Sequence, residues 1–483
     1  MSIPIAIQCF KALIRCHVEL SAPAWWYRGC KFLKEFEQFQ YNSLVSLTSS
    51  FKKSSCVALE VITGIPPVGL RMNDLVVREW ARISSLPSCH PLSILLNSLP
   101  PDCSIDFSPL AFMFRSSAKL RRELESRRLY IAPHVSVLPE HIVSQRSFKY
   151  VSIIKGDIGK SGERSSVQKA QACADVEDFC SSFLHQSSAI VFSDGSMSED
   201  GKGGSASVLV SVNSISISSR RVSGAVDNID AEVDGILLAF EAALLHCQQA
   251  SDISKVVIVS DCESAISIVR NQSDIRNWIH YFEKLWAIDN TLKRMGVEVS
   301  LGWVPSHCGI RFNELADSEA KKASFLRLDQ GSSLSPISID KARIMINSSI
   351  TKEWEARWKR SGAFCYAIIP SVSSKIVLHN KRSIGISHVR ALLNSASVPD
   401  CMFKFGLADS PNCPQCHQDR GTVAHVLFEC DSSHAYRVEL EVSLPPGIPV
   451  GLNILGAVPA SLSKLSKEIF ISAVHKFISY FVL

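Results

Sequence analysis

Four acidic residues lie where a shared chemical site is easiest to build. Asp194 follows the apolar run Ser188–Phe192 and precedes Gly195 and Ser196. Glu232 sits near the start of an amphipathic helical pattern, Asp230–Cys247. Asp261 ends the run KVVIVSD, and Asp317 lies early in a last helical pattern, Asn313–Ser324. The gaps between the four acids are 38, 29 and 56 residues. In open α/β sheets, strand ends and adjoining helix starts converge on one site. Four carboxylates gathered there repel unless positive charge compensates. Two hard divalent cations provide it, and oxygen-only ligation selects Mg2+ or Mn2+. Two such ions about 3.5–4 Å apart are a template for in-line attack on a phosphodiester. Each acid also has a plain structural explanation: a turn Asp before Gly, a first-turn acid, an N-cap, a solvated helix-face charge. Those explanations need four coincidences, and a common site needs one.

A second constellation is Cys413-x2-Cys416-x8-His425-x4-Cys430. This set suits tetrahedral zinc, and with all four positions taken by protein the metal is structural. His417 and His434 stand close by as alternative ligands. Aromatic and basic residues between the third and fourth acids, namely Arg270, Arg276, Trp278, Lys284, Trp286, Lys293 and Arg294, present two options. They could grip nucleic acid, or form a tryptophan core face with a solvated opposite face.

The elements that must position the four acids read as βββαβαβα. After Ser188–Phe192 come Ala206–Val212 and Ser214–Ser218, a hairpin around Asn213, and then the helix Asp230–Cys247. Lys255–Val259 has the continuous apolar character of a strand buried on both faces. Helices follow at Cys262–Asn271 and Arg276–Met295, then the strand Val297–Trp303 and the helix Asn313–Ser324. Around this α/β unit at 187–326 the chain divides into an N-terminal segment at 1–155 and a polar linker at 156–186 containing GKSGERSS. A second linker at 327–337 contains GSSLSP, and a C-terminal region runs over 338–483. In the first segment a GIPP turn precedes an amphipathic run in which Asn73 is expected as cap and Leu75, Val76, Trp80 and Ala81 as core.

The strings FSDGS, AEVDGI, VSDCESA, WVPSHCGI and NELADSEAKKA, in this order, resemble the ribonuclease H type 1 family, in the version found in non-LTR retrotransposons. The resemblance covers about 140 residues. It implies a ribonuclease H-like mixed five-stranded sheet flanked by helices, between a mainly helical N-terminal segment and an α-rich C-terminal module with a CCHC zinc knuckle. It implies an endonuclease that hydrolyses the RNA strand of RNA–DNA hybrids with two Mg2+ or Mn2+ ions, leaving a 5′-phosphate. Asp194 would serve both ions, Glu232 and Asp261 one of them, and Asp317 the other. His307 would assist proton transfer or product release. Asn313 would shape the loop holding His307 and the substrate-binding site beside it, and Ser196 and Asn228 would contact the backbone or the 2′-hydroxyls of the hybrid. One departure is Phe312, where the family often has Gly before Asn-Glu. The resemblance extends to the CCHC set, which often follows such domains, and to Val57–Ile83, which looks like the connection after a polymerase thumb. The chain has no Asp-Asp dipeptide for a polymerase palm, so the expectation is the 3′ portion of a retroelement reading frame. The alternative is a non-catalytic remnant that binds nucleic acid without cutting it.

Composition sets outer bounds. Hydrophobic content of 46% and charged content of 20% are those of a globular chain. A net charge of +5 permits a polyanionic partner without demanding one. No apolar stretch approaches the ~20 residues of a membrane span. The start, MSIPIAIQCFKALIRCHVEL, lacks a basic region followed by an apolar one. The 16 irregularly spaced cysteines then suit a reducing intracellular compartment, cytoplasm or nucleus.

Overall fold

A computed structural model of the chain describes residues 1–99, 108–133, 148–156, 158–159, 164–222, 225–250, 252–270, 272, 276–327 and 335–481. These fall into two compact units. The first comprises Met1–Trp80, Leu99–Ser117 and Ile346–Leu483, and the second Ala81–Ser98 and Ala118–Met345.

The first unit is helical, and the two ends of the chain share its core. Leu44, Leu59 and Ile65 are buried in one cluster with Trp358, Val389 and Phe477. The GIPP turn follows the helix Cys56–Thr63, whose end is capped by Gly64 at a φ of 60°. The next helix, Val68–Ser84, starts directly after the two prolines, so Asn73 lies inside it rather than capping it. Its side chain accepts a hydrogen bond from Trp26 Nε1 at 3.1 Å. Val76 and Trp80 are buried as their spacing requires. Among the described residues, no helix is long and apolar enough to cross a membrane.

The second unit contains the strands β1 (Leu129–Ile131), β2 (Lys149–Val151), β3 (Ser188–Met197), β4 (Gly203–Val210), β5 (Ile215–Val222), β6 (Lys255–Ser260), β7 (Glu298–Trp303) and β8 (Ser335–Ile337). β1 and β8 pair in parallel. The other six form one mixed sheet in the order β2-β7-β6-β3-β4-β5. β3, β4 and β5 are antiparallel neighbours, while β3, β6, β7 and β2 run parallel. Five strands are those expected from the sequence. The sixth, β2, has only three residues, too few for a periodic signal.

Both faces of the sheet are covered, which is why β6 is apolar from Val256 to Val259. Val256 and Ile258 face the helices Asn228–Gln249 and Ile279–Arg294. Val257 and Val259 face the opposite layer, with Ala172 and Val176 of the helix Ser166–Phe183 and Ala316 of the helix Arg311–Ala323. The helix Ser166–Phe183 lies within the polar stretch 156–186. A capping box between Ser165 and Gln168 starts it, and its buried residues are only Ala172, Asp175 and Val176. A stripe that narrow leaves little amphipathic pattern to read. Part of GKSGERSS and residues 328–334 of the second expected linker lie outside the described residues.

Helices approach the sheet closely at glycines. A Cβ on Gly195 would lie 2.1 Å from the backbone of Ala231 and Glu232, and one on Gly204 would lie 2.2 Å from Ala320 O. These contacts are backbone to backbone, so no side chain can move aside. Gly195→Ala should therefore push the helix Asn228–Gln249 off β3 and destabilise the unit by at least about 1–3 kcal/mol, as overpacked cores do. Gly156→Ala, where a Cβ meets nothing within 4 Å, is the control. Urea unfolding followed by tryptophan fluorescence measures both, and equal midpoints would contradict the close-approach argument.

Candidate active site

Strand register brings two of the acids together. Ser193 on β3 is aligned with Ser260 on β6, so the next residues, Asp194 and Asp261, emerge side by side. Glu232 arrives from the helix that Gly195 lets close in. Its Oε2 accepts a hydrogen bond from Gly195 N–H at 3.1 Å. That helix begins at Asn228 behind an Asp227–Asp230 capping box, which places Glu232 just past the first turn. One carboxylate oxygen from each of Asp194, Glu232 and Asp261 lies within 4.8 Å of the others.

Burial and mutual repulsion both disfavour the charged forms. Burial, then Asp261 and Asp317, push the Asp194 carboxyl up to about 8. Burial, then Asp194 and Asp261, raise Glu232 well above the usual carboxylate range. Burial also raises Asp261, against a hydrogen bond from Asn313 that lowers it. Asp194 Oδ2 is buried and has no hydrogen-bond partner. An orphaned buried carboxylate oxygen, an all-oxygen donor set and this repulsion fit a hard divalent cation.

Asp317 stands in an adjoining group with His307 and Glu314, their ligand atoms again within 4.8 Å. It is paired with Lys321 at 2.6 Å on its own helix. Glu314 was not singled out from the sequence, although it precedes Asp317 by three residues on one helix face, a spacing that could have shown it. Its Oε1 accepts from Gly309 N–H at 3.3 Å. The His307 loop is held from outside. Cys173 Sγ donates to Cys308 O at 3.0 Å, and Arg164 Nη1 donates to Ser306 O at 3.0 Å. His307 itself has a φ of 55° and is exposed. Asn313 is buried and donates from Nδ2 to Asp261 Oδ2 at 3.0 Å, which ties it to a carboxylate rather than to the surface. Ser196 is half-buried and Asn228 exposed. Phe312 packs on Phe192 with ring centroids 5.7 Å apart.

In the first unit, Cys413, Cys416, His425 and Cys430 form a third group with ligand atoms within 4.8 Å. Cys416 Sγ lies 3.3 Å from His425 Nε2, and Cys413 Sγ lies 3.8 Å from Cys430 Sγ. Backbone N–H groups of Asp419 and Gln418 pull the Cys416 thiol down to about 6, so it is ready to ligate as thiolate. His417 and His434 are exposed and outside the group.

The tryptophans following Asp261 belong to the core. Trp278 is 8% exposed and Trp286 6%, which leaves neither ring free to stack on a base. Arg270 donates to Phe148 O and covers the Tyr150 ring, and Lys293 pairs with Asp289.

Residues 186–325 match the family described as RNase H, so this part of the second unit is an RNase H domain. Solved structures similar to the chain include the N-terminal RNase H domain of a Mycobacterium tuberculosis protein, at 17% identity over 28% of this chain and 98% of that one, with a TM-score of 0.23. RNase H1 from the archaeon Halobacterium salinarum is 22% identical over 28% of this chain and 96% of that one, with a TM-score of 0.23. The protease–reverse transcriptase of prototype foamy virus is 16% identical over 30% of this chain and 22% of that one, with a TM-score of 0.24. No curated protein matches the chain.

Asp194 holds its proton more tightly in the fold than when unfolded, so between about pH 4 and about pH 8 the fold binds more protons. Its contribution to metal-free stability therefore falls as pH rises through that window. Asp194→Asn removes this loss, and the variant's advantage in melting temperature over wild type should widen from about pH 5 to about pH 8. A constant difference would contradict the assigned burial and repulsion. In the first unit, Cys413→Ser or a strong chelator should release bound zinc and lower that unit's melting temperature, because metal ligation contributes directly to folding. Elemental analysis and calorimetry report the two effects, and purified protein without zinc would refute the site.

Proposed function

We propose that residues 187–326 are an endonuclease that hydrolyses the RNA strand of RNA–DNA hybrids with two divalent metal ions. The observation that carries the reading is the convergence of Asp194, Glu232 and Asp261 on one buried point, with an orphaned oxygen on Asp194, inside an RNase H domain. Asp194, Glu232 and Asp261 would hold one Mg2+ or Mn2+, and Asp194 with Asp317 the other. Bound there, the ions supply positive charge facing a phosphate and make an attacking water more acidic.

The chain's own residues do the rest. Asn313 keeps one oxygen of Asp261 fixed through its amide. Gly195 N–H holds Glu232 in its rotamer. Lys321 occupies Asp317 in the metal-free chain and must release it for ligation. His307, exposed on its pinned loop, is free to exchange a proton with solvent and with a leaving group. Ser196 and Asn228 are accessible to a 2′-hydroxyl or to the backbone of a hybrid. Zinc on Cys413, Cys416, His425 and Cys430 would be structural, since protein fills all four positions. Derivation from a non-LTR retrotransposon goes with this reading, supported by the order of the five strings and the CCHC set after them. None of the described cysteines is in a disulfide, which suits an intracellular place, cytoplasm or nucleus.

Purified full-length protein in Mg2+ should cut the RNA of a hybrid and spare double-stranded RNA and DNA, because it needs 2′-hydroxyls on one strand and a deoxy backbone on the other. Asp194→Asn should lower the rate by at least about 10^3-fold, as loss of a central catalytic group does. It should leave hybrid binding, which rests on phosphate and sugar contacts, largely intact. Wild-type rates in the variant, or equal cutting of an all-DNA duplex, would refute the reading.

A further inference from the structure

The RNase H match ends at residue 325, yet a side chain beyond it is built into the start of the helix that carries Glu232. Lys341 lies on the helix Ile339–Arg360 and is 4% exposed. A buried ammonium is costly unless paired, and this one is paired twice. Its Nζ lies 2.6 Å from Asp227 Oδ2 and 2.9 Å from Asp230 Oδ1. It also sits 4.8 Å from the centroid of the Trp278 ring, whose Nε1 donates to the same Asp230 oxygen at 2.9 Å. The other oxygen of Asp230 accepts from Val226 N–H at 2.7 Å and Asp227 N–H at 3.3 Å. Asp227 and Asp230 are the N-cap and N3 residues of the helix Asn228–Gln249. The cap of this helix is thus closed from outside the matched segment. The pairing of β8 with β1 fixes the strand just before Lys341, and Ser338 Oγ receives Lys341 N–H at 3.2 Å.

We infer that Lys341 is a positioning residue of the candidate active site: it locks the first turn of the Glu232 helix and thereby sets Glu232 against Asp194. Glu232 lies two residues beyond Asp230. Without the ammonium, Asp230 becomes a buried carboxylate lacking its counter-charge, and the first turn is the part of the helix free to rearrange. The functional nuclease unit therefore extends past residue 325 to include Lys341. This rests on the reading of Asp194, Glu232 and Asp261 as metal ligands.

The test is Mn2+ binding to the zinc-loaded full-length chain by isothermal titration calorimetry, with Asp194→Asn as the blank. Lys341→Met should weaken Mn2+ binding about tenfold, in the range found when groups behind a metal ligand are lost. Lys341→Met combined with Asp230→Asn removes both charges and keeps the amide as an acceptor. It should recover affinity to within about threefold, the signature of a coupled pair. Lys293→Met breaks another ion pair to a buried acid in the same unit, Asp289. It should lower the melting temperature and leave Mn2+ affinity unchanged. Unchanged affinity in Lys341→Met, no recovery in the double variant, or an equal loss in Lys293→Met would overturn the inference. If the Mn2+ results come out as expected and wild type leaves hybrid uncut, the inference stands and the nuclease reading falls.

Discussion

Three carboxylates crowded onto one buried point oppose folding, and the second unit is organised around making that crowding tolerable. Burial first, and then the charge of neighbouring acids, raise Asp194, Glu232 and Asp261. The opposing term is the packing on both faces of the sheet, where Val191, Ile258, Phe240 and Leu285 fill one layer and Phe192, Val259 and Ala316 the other. Buried apolar area stabilises by roughly 25 cal/mol per Å2, and in these layers it is large and continuous. Asp194 and Asp261 sit just past the last β3–β6 pair, Ser193 and Ser260, so the strain is confined to the rim of a well-packed body. Departure from the rules of stable packing at one place, with compliance elsewhere, marks functional sites in general.

The sequence was most legible where one residue type has one job. Apolar runs at Ser188–Phe192 and Lys255–Val259 locate the two central strands, and the acid that follows each run, Asp194 or Asp261, locates the candidate site. The helix over Asp230–Cys247 is apparent from its spacing, and the fold adds only a few residues at each end. The clustering of Cys413, Cys416, His425 and Cys430 was legible for the same reason, from their spacing in the chain. Less was visible where the signal is a partnership. Cys173 and Arg164 hold the His307 loop through backbone carbonyls, and no local pattern announces a hydrogen bond made 135 or more residues away. Glu314 was hidden differently: its neighbour Asp317 already accounted for an acid on that face.

Trp278 shows how composition misleads when burial is unknown. Basic and aromatic residues interleaved after Asp261 suit a nucleic-acid grip equally well as an amphipathic helix. Register decides between them, because Trp278 and Trp286 point into the core with Phe282 and Leu285. The indole N–H of Trp278 is then engaged by Asp230, inside the fold. Phe312, where the family often has glycine, settles against Phe192. A large ring at that position is accommodated by apolar packing on the sheet face, so it adds to the core of the very helix that carries Asp317.

The strand order also sets a timetable. β3, β4 and β5 are consecutive hairpin neighbours and can pair as soon as each leaves the ribosome. β3 meets β6 much later, with Ser193 waiting for Ser260, 67 residues further along. β2 waits longer still, since Val151 pairs with Gly302 on β7. Non-local pairing of this kind is slow, because a long loop must be closed before contacts reward it. Asp194 and Asp261 become neighbours only when β6 docks. A nascent chain therefore carries Asp194 and Asp261 apart until β6 has been made. The charge cluster and the apolar layers that restrain it are completed together, because β6 brings Ile258 and Val259 into those layers as it brings Asp261 to Asp194.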